Sequence, residues 1–184
     1  MGSSTGNMLV DNESLLEKIF SQCDNLIAIH SENENIINEN KAKYPDADNA
    51  SYHPIIRNAE ACYQSSLSAI QLATKYDTRL HILHISTAKE LQLFGNMMPL
   101  KEKRITSEVC VHHLHFTADD YAQFGNLIKC NPAIKGPENK HELWQALLDD
   151  RLDIIATDHA PHTWEEKQLP YQKAPSGVPL VQHS

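Results

Sequence analysis

Asp153-Ile-Ile-Ala-Thr-Asp158 is a short apolar run that ends on a carboxylate, and three earlier stretches share its form. They are Leu26-Ile-Ala-Ile-His30, Leu80-His-Ile-Leu-His-Ile-Ser86 and Arg104-Ile-Thr-Ser-Glu-Val-Cys110. Short apolar runs bounded by polar segments read as parallel strands covered on both faces. Helical periods separate them. Asn12 to Cys23 carries Leu15, Leu16, Ile19 and Phe20 on one face, with Asp11 placed as N-cap. Glu32 to Tyr44 is a polar helix with a thin apolar stripe, and Arg57 to Tyr76 is the longest helix, rich in good formers. Thr87 to Phe94 and Glu138 to Arg151 complete the set, with a helical turn at Ala118 to Phe124 and an extended piece at Asn126 to Asn131. Met1 to Asn7, Pro45 to Pro54 and the proline-rich tail after Pro161 read as loops. Strand–helix alternation repeated four times predicts an α/β fold with a parallel sheet and helices outside it. Four such units are half of an eightfold barrel, which takes roughly 250 residues when complete. The 184 residues are therefore expected to form one domain, 1–184, that is a partial (β/α)8 TIM barrel.

Composition narrows the function. Lys and Arg number 16 against 24 Asp and Glu, for a net charge of −8, and no basic cluster is present. Such a chain is a poor nucleic-acid binder and a poor anchor for anionic membranes. No apolar run approaches the roughly 20 residues of a membrane-crossing helix, and no signal-peptide pattern opens the chain, so a cytoplasmic protein is expected. The four cysteines, at 23, 62, 110 and 130, form no Cys-x-x-Cys pair and read as reduced core thiols. No glycine-rich phosphate loop follows a strand. The 11 histidines are the unusual feature, and they invite a metal.

Potential ligands gather at the strand ends: His30 on the first, His84 on the second, Asp158 on the fourth. The C-terminal edge of a parallel β/α sheet carries the site, because its loops vary on a rigid rim. Alternation puts Ile82, His84 and Ser86 on one face and His81 on the other, Ala28 with His30, and Ile154 and Ala156 with Asp158. Neutral imidazoles and a carboxylate from separate strands suit zinc, at about 2.0–2.2 Å per ligand. Asp158-His-Ala-Pro-His162 is the densest stretch, a carboxylate and two imidazoles in one turn. Glu108, His112 and His113 form a second polar concentration, read either as part of the site or as hydrogen-bonding support for it. Cys110 is expected to be a buried thiol with nothing to pair with, His81 to serve packing or surface, and His53 and His141 to lie on the surface.

At these residues the sequence resembles the dihydroorotases of the amidohydrolase superfamily. Ile155-Ala-Thr-Asp-His-Ala-Pro-His-Thr163, followed by Glu165-Glu-Lys167, resembles the family signature. Ala28-Ile-His-Ser-Glu32 and His81-Ile-Leu-His-Ile-Ser86 resemble its strand-five and strand-six histidine segments. Ser107-Glu-Val-Cys-Val-His-His-Leu114 resembles the strand-seven segment, with Val111 where relatives usually carry proline. Lys129-Cys-Asn-Pro132 and Ala174-Pro-Ser-Gly177 resemble loops that meet the substrate. The likeness runs along essentially the whole chain.

The resemblance implies the second half of a barrel, approximately strands 5 to 8 with their helices, and a binuclear zinc centre in the complete enzyme. It implies His30, His84 and Asp158 as metal ligands, with Asp158 also the general acid/base. Asn131, His162, Ser176 and Gly177 are implied to bind a small-molecule substrate. The family's first-strand His-x-His pair and its fourth-strand bridging Lys or Asp have no counterpart and are expected before Met1; a trailing portion is likewise expected after Ser184. The implied reaction is reversible hydrolysis of dihydroorotate to N-carbamoyl-aspartate in pyrimidine biosynthesis, with a homo-oligomer possible for the complete enzyme and the 184-residue chain inactive alone. Two alternatives stay open: another cyclic amidohydrolase of the hydantoinase or allantoinase type, against which His162 argues, and a non-catalytic barrel scaffold.

Overall fold

Three-residue strands cannot stand alone, and here they are held by their neighbours. The computed structural model describes residues 12–183. Strands β1 (Ile27–Ile29), β2 (Leu80–Ile82), β3 (Ile105–Cys110) and β4 (Ile154–Ala156) form one parallel sheet in chain order. Ala28 is level with His81 and His81 with Thr106, so these three share one face of the sheet. Glu108 is level with Ile154 and Cys110 with Ala156, which carries that face across to β4. The other face presents Ile29, Leu80, Ile82 and Val109, all buried, to the helices.

Asparagine starts the helices that cover this sheet. The side chains of Asn12, Asn33 and Asn58 accept from backbone N–H groups of the first turns of α1 (Glu13–Gln22), α2 (Glu34–Lys43) and α4 (Ala59–Tyr76). The Asp11 cap expected from sequence, and the loop Met1 to Asn7, lie outside the described residues. α4 stops at Asp77, which takes a left-handed φ of 52°. α7 (Pro137–Leu148) opens on a proline in its first turn, where a missing N–H costs nothing. Ala69 and Ala73 of α4 and Leu143 and Ala146 of α7 pack with Phe20, Leu80 and Val109 in the main core.

A second core, of Ile37, Ile56, Tyr121, Ile134, Tyr171 and Val178 among others, lies among the connections. It includes α3 (His53–Ile56) and α6 (Tyr121–Phe124), two single turns. Two further short helices, α5 (Val111–His115) and α8 (Trp164–Lys167), follow β3 and β4.

The structure corrects several sequence expectations. The Thr87 to Phe94 helix shrinks to a 3-10 turn at Glu90–Leu93. Residues 126–131 are not an extended piece: Gly125 turns the chain with φ 51°, and Gly125–Ile128 is a 3-10 turn. The loop Pro45 to Pro54 contains a 3-10 turn, Ala50–Tyr52, and the start of α3. Alternation also misjudges the second strand. Its ladder ends at Ile82, and His84 then takes φ 41°, so strand parity no longer dictates where the imidazole points. Among the described residues, no helix is long and apolar enough to cross a membrane.

Candidate active site

The site is built from the residues that follow the strands. After β1, His30 places Nδ1 2.9 Å from Nε2 of His84, which follows β2. The two rings meet edge to face, 4.7 Å between centroids. On its other side, His30 Nε2 lies 2.9 Å from Oε2 of Glu32. Glu32 in turn receives Arg57 Nη1 of the segment between α3 and α4. Burial alone would push the Glu32 carboxyl up, but the Arg57 guanidinium and His30 override it and hold it at about 2. An ionised Glu32 fixes the His30 proton on Nε2 and leaves the lone pair on Nδ1, facing His84. Burial, with His30 beside it, drives the His84 pKa down to about 3, so its ring is neutral. Nδ1 of His84 is buried and has no hydrogen-bond partner.

Asp158 stands two residues past β4, also on left-handed backbone, with φ 45°. His and Asp tolerate that region better than most residues, and such turns aim side chains off a strand end. The Asp158 carboxyl is raised, by desolvation first and by Glu108 as well, against a lowering by His30. His30 and Glu108 are thus the charged groups that act on the Asp158 carboxyl. The residue itself stays open to solvent.

The expected substrate residues fall into two linked groups. His162 Nε2 lies 3.2 Å from the Ser176 carbonyl oxygen, and the Gly177 N–H donates to Lys129 O at 2.8 Å. Gly177 has φ 148°, and a Cβ there would sit 2.5 Å from Ala160 O and 2.9 Å from His162 Nε2. Only glycine lets this loop close on the turn after Asp158. Two lysines hold the loop from beneath: Lys129 Nζ donates to Tyr171 O and Ala174 O, and Lys167 Nζ to the carbonyls of Lys129, Pro175 and Gly177. Asn131 Oδ1 lies 3.0 Å from His53 Nε2. Asn131 and Ser176 line one cavity of about 400 Å³ together with His53, Arg57 and Lys129.

His53 is a correction. Sequence placed it on the surface, yet it is buried, between Tyr171 OH at 3.0 Å and Cys130 O at 2.9 Å. Burial first, then the charges of Arg57 and Lys129, brings its pKa down to about 3. His141 is exposed as expected. Glu32 and Arg57 were missed by the sequence reading. The only available signal was Glu32, two residues from His30 and so on the same side of an extended chain.

The second polar concentration divides. Glu108 serves His81, whose Nε2 lies 3.1 Å from Oε2, and lies 3.4 Å from the His84 N–H. His81 is thus buried and paired, with Thr106 Oγ1 2.8 Å from its Nδ1. His113 Nε2 donates to Pro132 O at 3.1 Å, while its Nδ1 is buried and unpartnered. Cys110 is buried as expected but not isolated: its Sγ and one ring nitrogen each of His112 and His113 lie within 4.8 Å of one another.

The donor set fits a metal. Two facing imidazoles from adjacent strand ends, His30 anchored through Nε2 by a buried carboxylate and His84 held neutral by burial, are what ligand pairs need.

No family model matches the chain. A dihydroorotase of Methanosarcina acetivorans is 32% identical over 190 aligned residues, covering 99% of this chain and 40% of that protein. A dihydroorotase of Methanothermobacter thermautotrophicus is 33% identical over 156 residues, covering 85% of this chain and 35% of that protein. Among solved structures, a D-hydantoinase superposes with a TM-score of 0.85 at 18% identity, covering 97% of this chain and 41% of that one. The dihydropyrimidinase of Brevibacillus agri gives 0.85 at 22%, covering 96% and 41%. These structural likenesses show the fold, a parallel α/β sheet like that of hydantoinase TIM barrels. The chain spans about two fifths of the length of the relatives it matches. In sequence, 85–99% of this chain is similar to a stretch of the dihydroorotases.

Proposed function

We propose that this chain supplies barrel strands 5 to 8, as one domain over residues 1–184, to a zinc-dependent hydrolase that interconverts dihydroorotate and N-carbamoyl-aspartate in pyrimidine biosynthesis. The observation that carries the reading is the 2.9 Å approach of His30 and His84 at adjacent strand ends, backed by the Glu32–Arg57 pair, with Asp158 two residues past the end of β4. His30 Nδ1, His84 Nε2 and the Asp158 carboxylate would hold the metal, with the remaining ligands of a binuclear centre coming from elsewhere in the whole protein. Zinc bound there acidifies water and polarises a carbonyl, the two things an unreactive amide needs.

The chain's own residues do the rest. Asp158 accepts the proton of the attacking water as its oxygen bonds to the ring carbonyl carbon. It returns that proton to the amide nitrogen as the C–N bond breaks. A carboxyl raised by desolvation is suited to hold a proton between those two events. His162 and the Ser176–Gly177 backbone, with Asn131, would hold the polar edge of the substrate so that only the scissile carbonyl faces the metal. Glu108 and His81 steady the His84 turn, and His112 and His113 close the neighbouring strand end.

The test compares dihydroorotate with hydantoin and allantoin as substrates of the whole protein. Turnover of dihydroorotate, with kcat/KM at least about a hundredfold above the others, supports the reading; such a ratio corresponds to roughly 2.7 kcal/mol. Preference for hydantoin would transfer the protein to the hydantoinase type. No turnover of any cyclic amide would favour a scaffold.

A further inference from the structure

We infer that Cys110, His112 and His113 form a second metal site, of thiolate–bis-imidazole type, distinct from the His30–His84–Asp158 set and selective for zinc-like and softer ions. The three residues end β3 and open α5, and each is at most 3% exposed. Their donor atoms already lie within 4.8 Å of one another. A tetrahedral ion with Zn–S of about 2.3 Å and Zn–N of about 2.0–2.1 Å needs donors roughly 3.3–3.7 Å apart, so small side-chain rotations suffice.

Three further observations point to a ligand. His113 donates through Nε2 to Pro132 O, which leaves the lone pair on Nδ1, and that nitrogen is buried without a partner. A ligand histidine anchored through its second nitrogen to a carbonyl has this arrangement. The buried His112 ring makes no side-chain hydrogen bond and meets only backbone at Thr157, so at least one of its nitrogens is left without a partner, which is costly for a polar group with no task. An apolar cavity of about 670 Å³ reaches His112 past Val111, Phe116 and Val178, and gives an ion a way in. Burial holds both rings neutral, as coordination requires, with His112 brought down to about 4. The same burial raises the Cys110 thiol, so a hard ion such as Mg²⁺ gains nothing here, whereas a thiophilic ion expels the proton to solvent on binding. Because His113 is tied to Pro132, beside Asn131, a bound ion would clamp the end of β3 to the loop that carries Asn131.

The proposal does not depend on the hydrolase reading, because its readout is spectroscopic. The chain is titrated with Cd²⁺ and with Co²⁺ alone, and thiolate-to-metal charge-transfer absorption is recorded with proton release. A band that saturates at one equivalent, with a proton released from the thiol, is expected. It should vanish in Cys110→Ser and survive in Cys62→Ser, Cys130→Ser and His30→Ala/His84→Ala. A band that persists in Cys110→Ser, or no band in the unaltered chain, overturns the site. Should Cys110→Ser fail to fold by circular dichroism, His112→Gln and His113→Gln decide. Each is expected to weaken Cd²⁺ binding at least tenfold with the band retained, and unchanged affinity in both overturns the proposal.

Discussion

Asp158 and His84 are the two residues whose backbone leaves the ordinary regions next to the chemistry, with φ of 45° and 41°. Residue types and order were legible for both, since each follows a short apolar run. Their orientation was not, because parity reasoning assumes that a strand continues, and β2 stops at Ile82. Arg57 and His53 were illegible for a different reason: their roles arise from contacts across 25 to 118 positions of chain, which no local pattern encodes. Gly177→Ala is expected to destabilise the protein by about 1–3 kcal/mol, since its Cβ has no room against Ala160 O and its φ is strained for any side chain. A shift of the urea midpoint measures this; an unchanged midpoint would show that the 174–178 loop is not packed as described. Removing Arg57 (Arg57→Met) leaves Glu32 buried beside a single partner, and a loss of about 3–5 kcal/mol is expected by the same measurement. A loss below 1 kcal/mol would mean that Glu32 is protonated or hydrated in the folded chain. His162→Ala should weaken binding of dihydroorotate and carbamoyl-aspartate with metal content unchanged; lost metal with unaltered substrate affinity would move His162 into the ligand set.

At the level of elements, the alternation of strands and helices was readable because the patterns are strong: apolar runs for the strands, apolar stripes for α1 and α2, and a long run of good helix formers for α4, although the asparagine caps of all three went unread. The connections were not. They are shaped by groups that sequence patterns do not mark, above all the two lysines under the 174–178 loop. Lys129 and Lys167 are both brought down to about 8, by desolvation first. An unfolded chain keeps those protons up to about 10.5, so between pH 8 and 10.5 it binds more protons than the folded one. Stability contributed by these two groups therefore rises with pH across that window. Lys167→Met should flatten the rise. It should also cost about 1–3 kcal/mol at pH 7, because the carbonyls of Lys129, Pro175 and Gly177 lose their donor. Denaturant melts at stepped pH report both effects, and a parallel rise in the variant would assign the pH dependence elsewhere.

On the scale of the whole molecule, β1 and β4 are the outer strands of the sheet, and Ile154 and Ile155 of β4 are 43% and 55% exposed. Open strand edges and exposed apolar residues favour association. The 184-residue chain alone is expected to self-associate in light scattering and to turn over no dihydroorotate with added Zn²⁺, and a monomer with substantial turnover would contradict the proposed division of ligands. The barrel type was legible from four βα units, and the superposition on D-hydantoinase at a TM-score of 0.85 agrees with it. Substrate identity rests on the sequence relatives, since hydantoinases share the fold at 18–23% identity. The most direct test of the central claim is therefore the turnover of Asp158→Asn in the whole protein, in both reaction directions, alongside its zinc content. With zinc retained and the fold intact, the rate should fall by at least about 10²–10⁴-fold, the usual worth of a general acid/base. A near-normal rate with zinc in place would contradict the assignment of proton transfer to Asp158 and, with it, the reading of this strand end as the catalytic one.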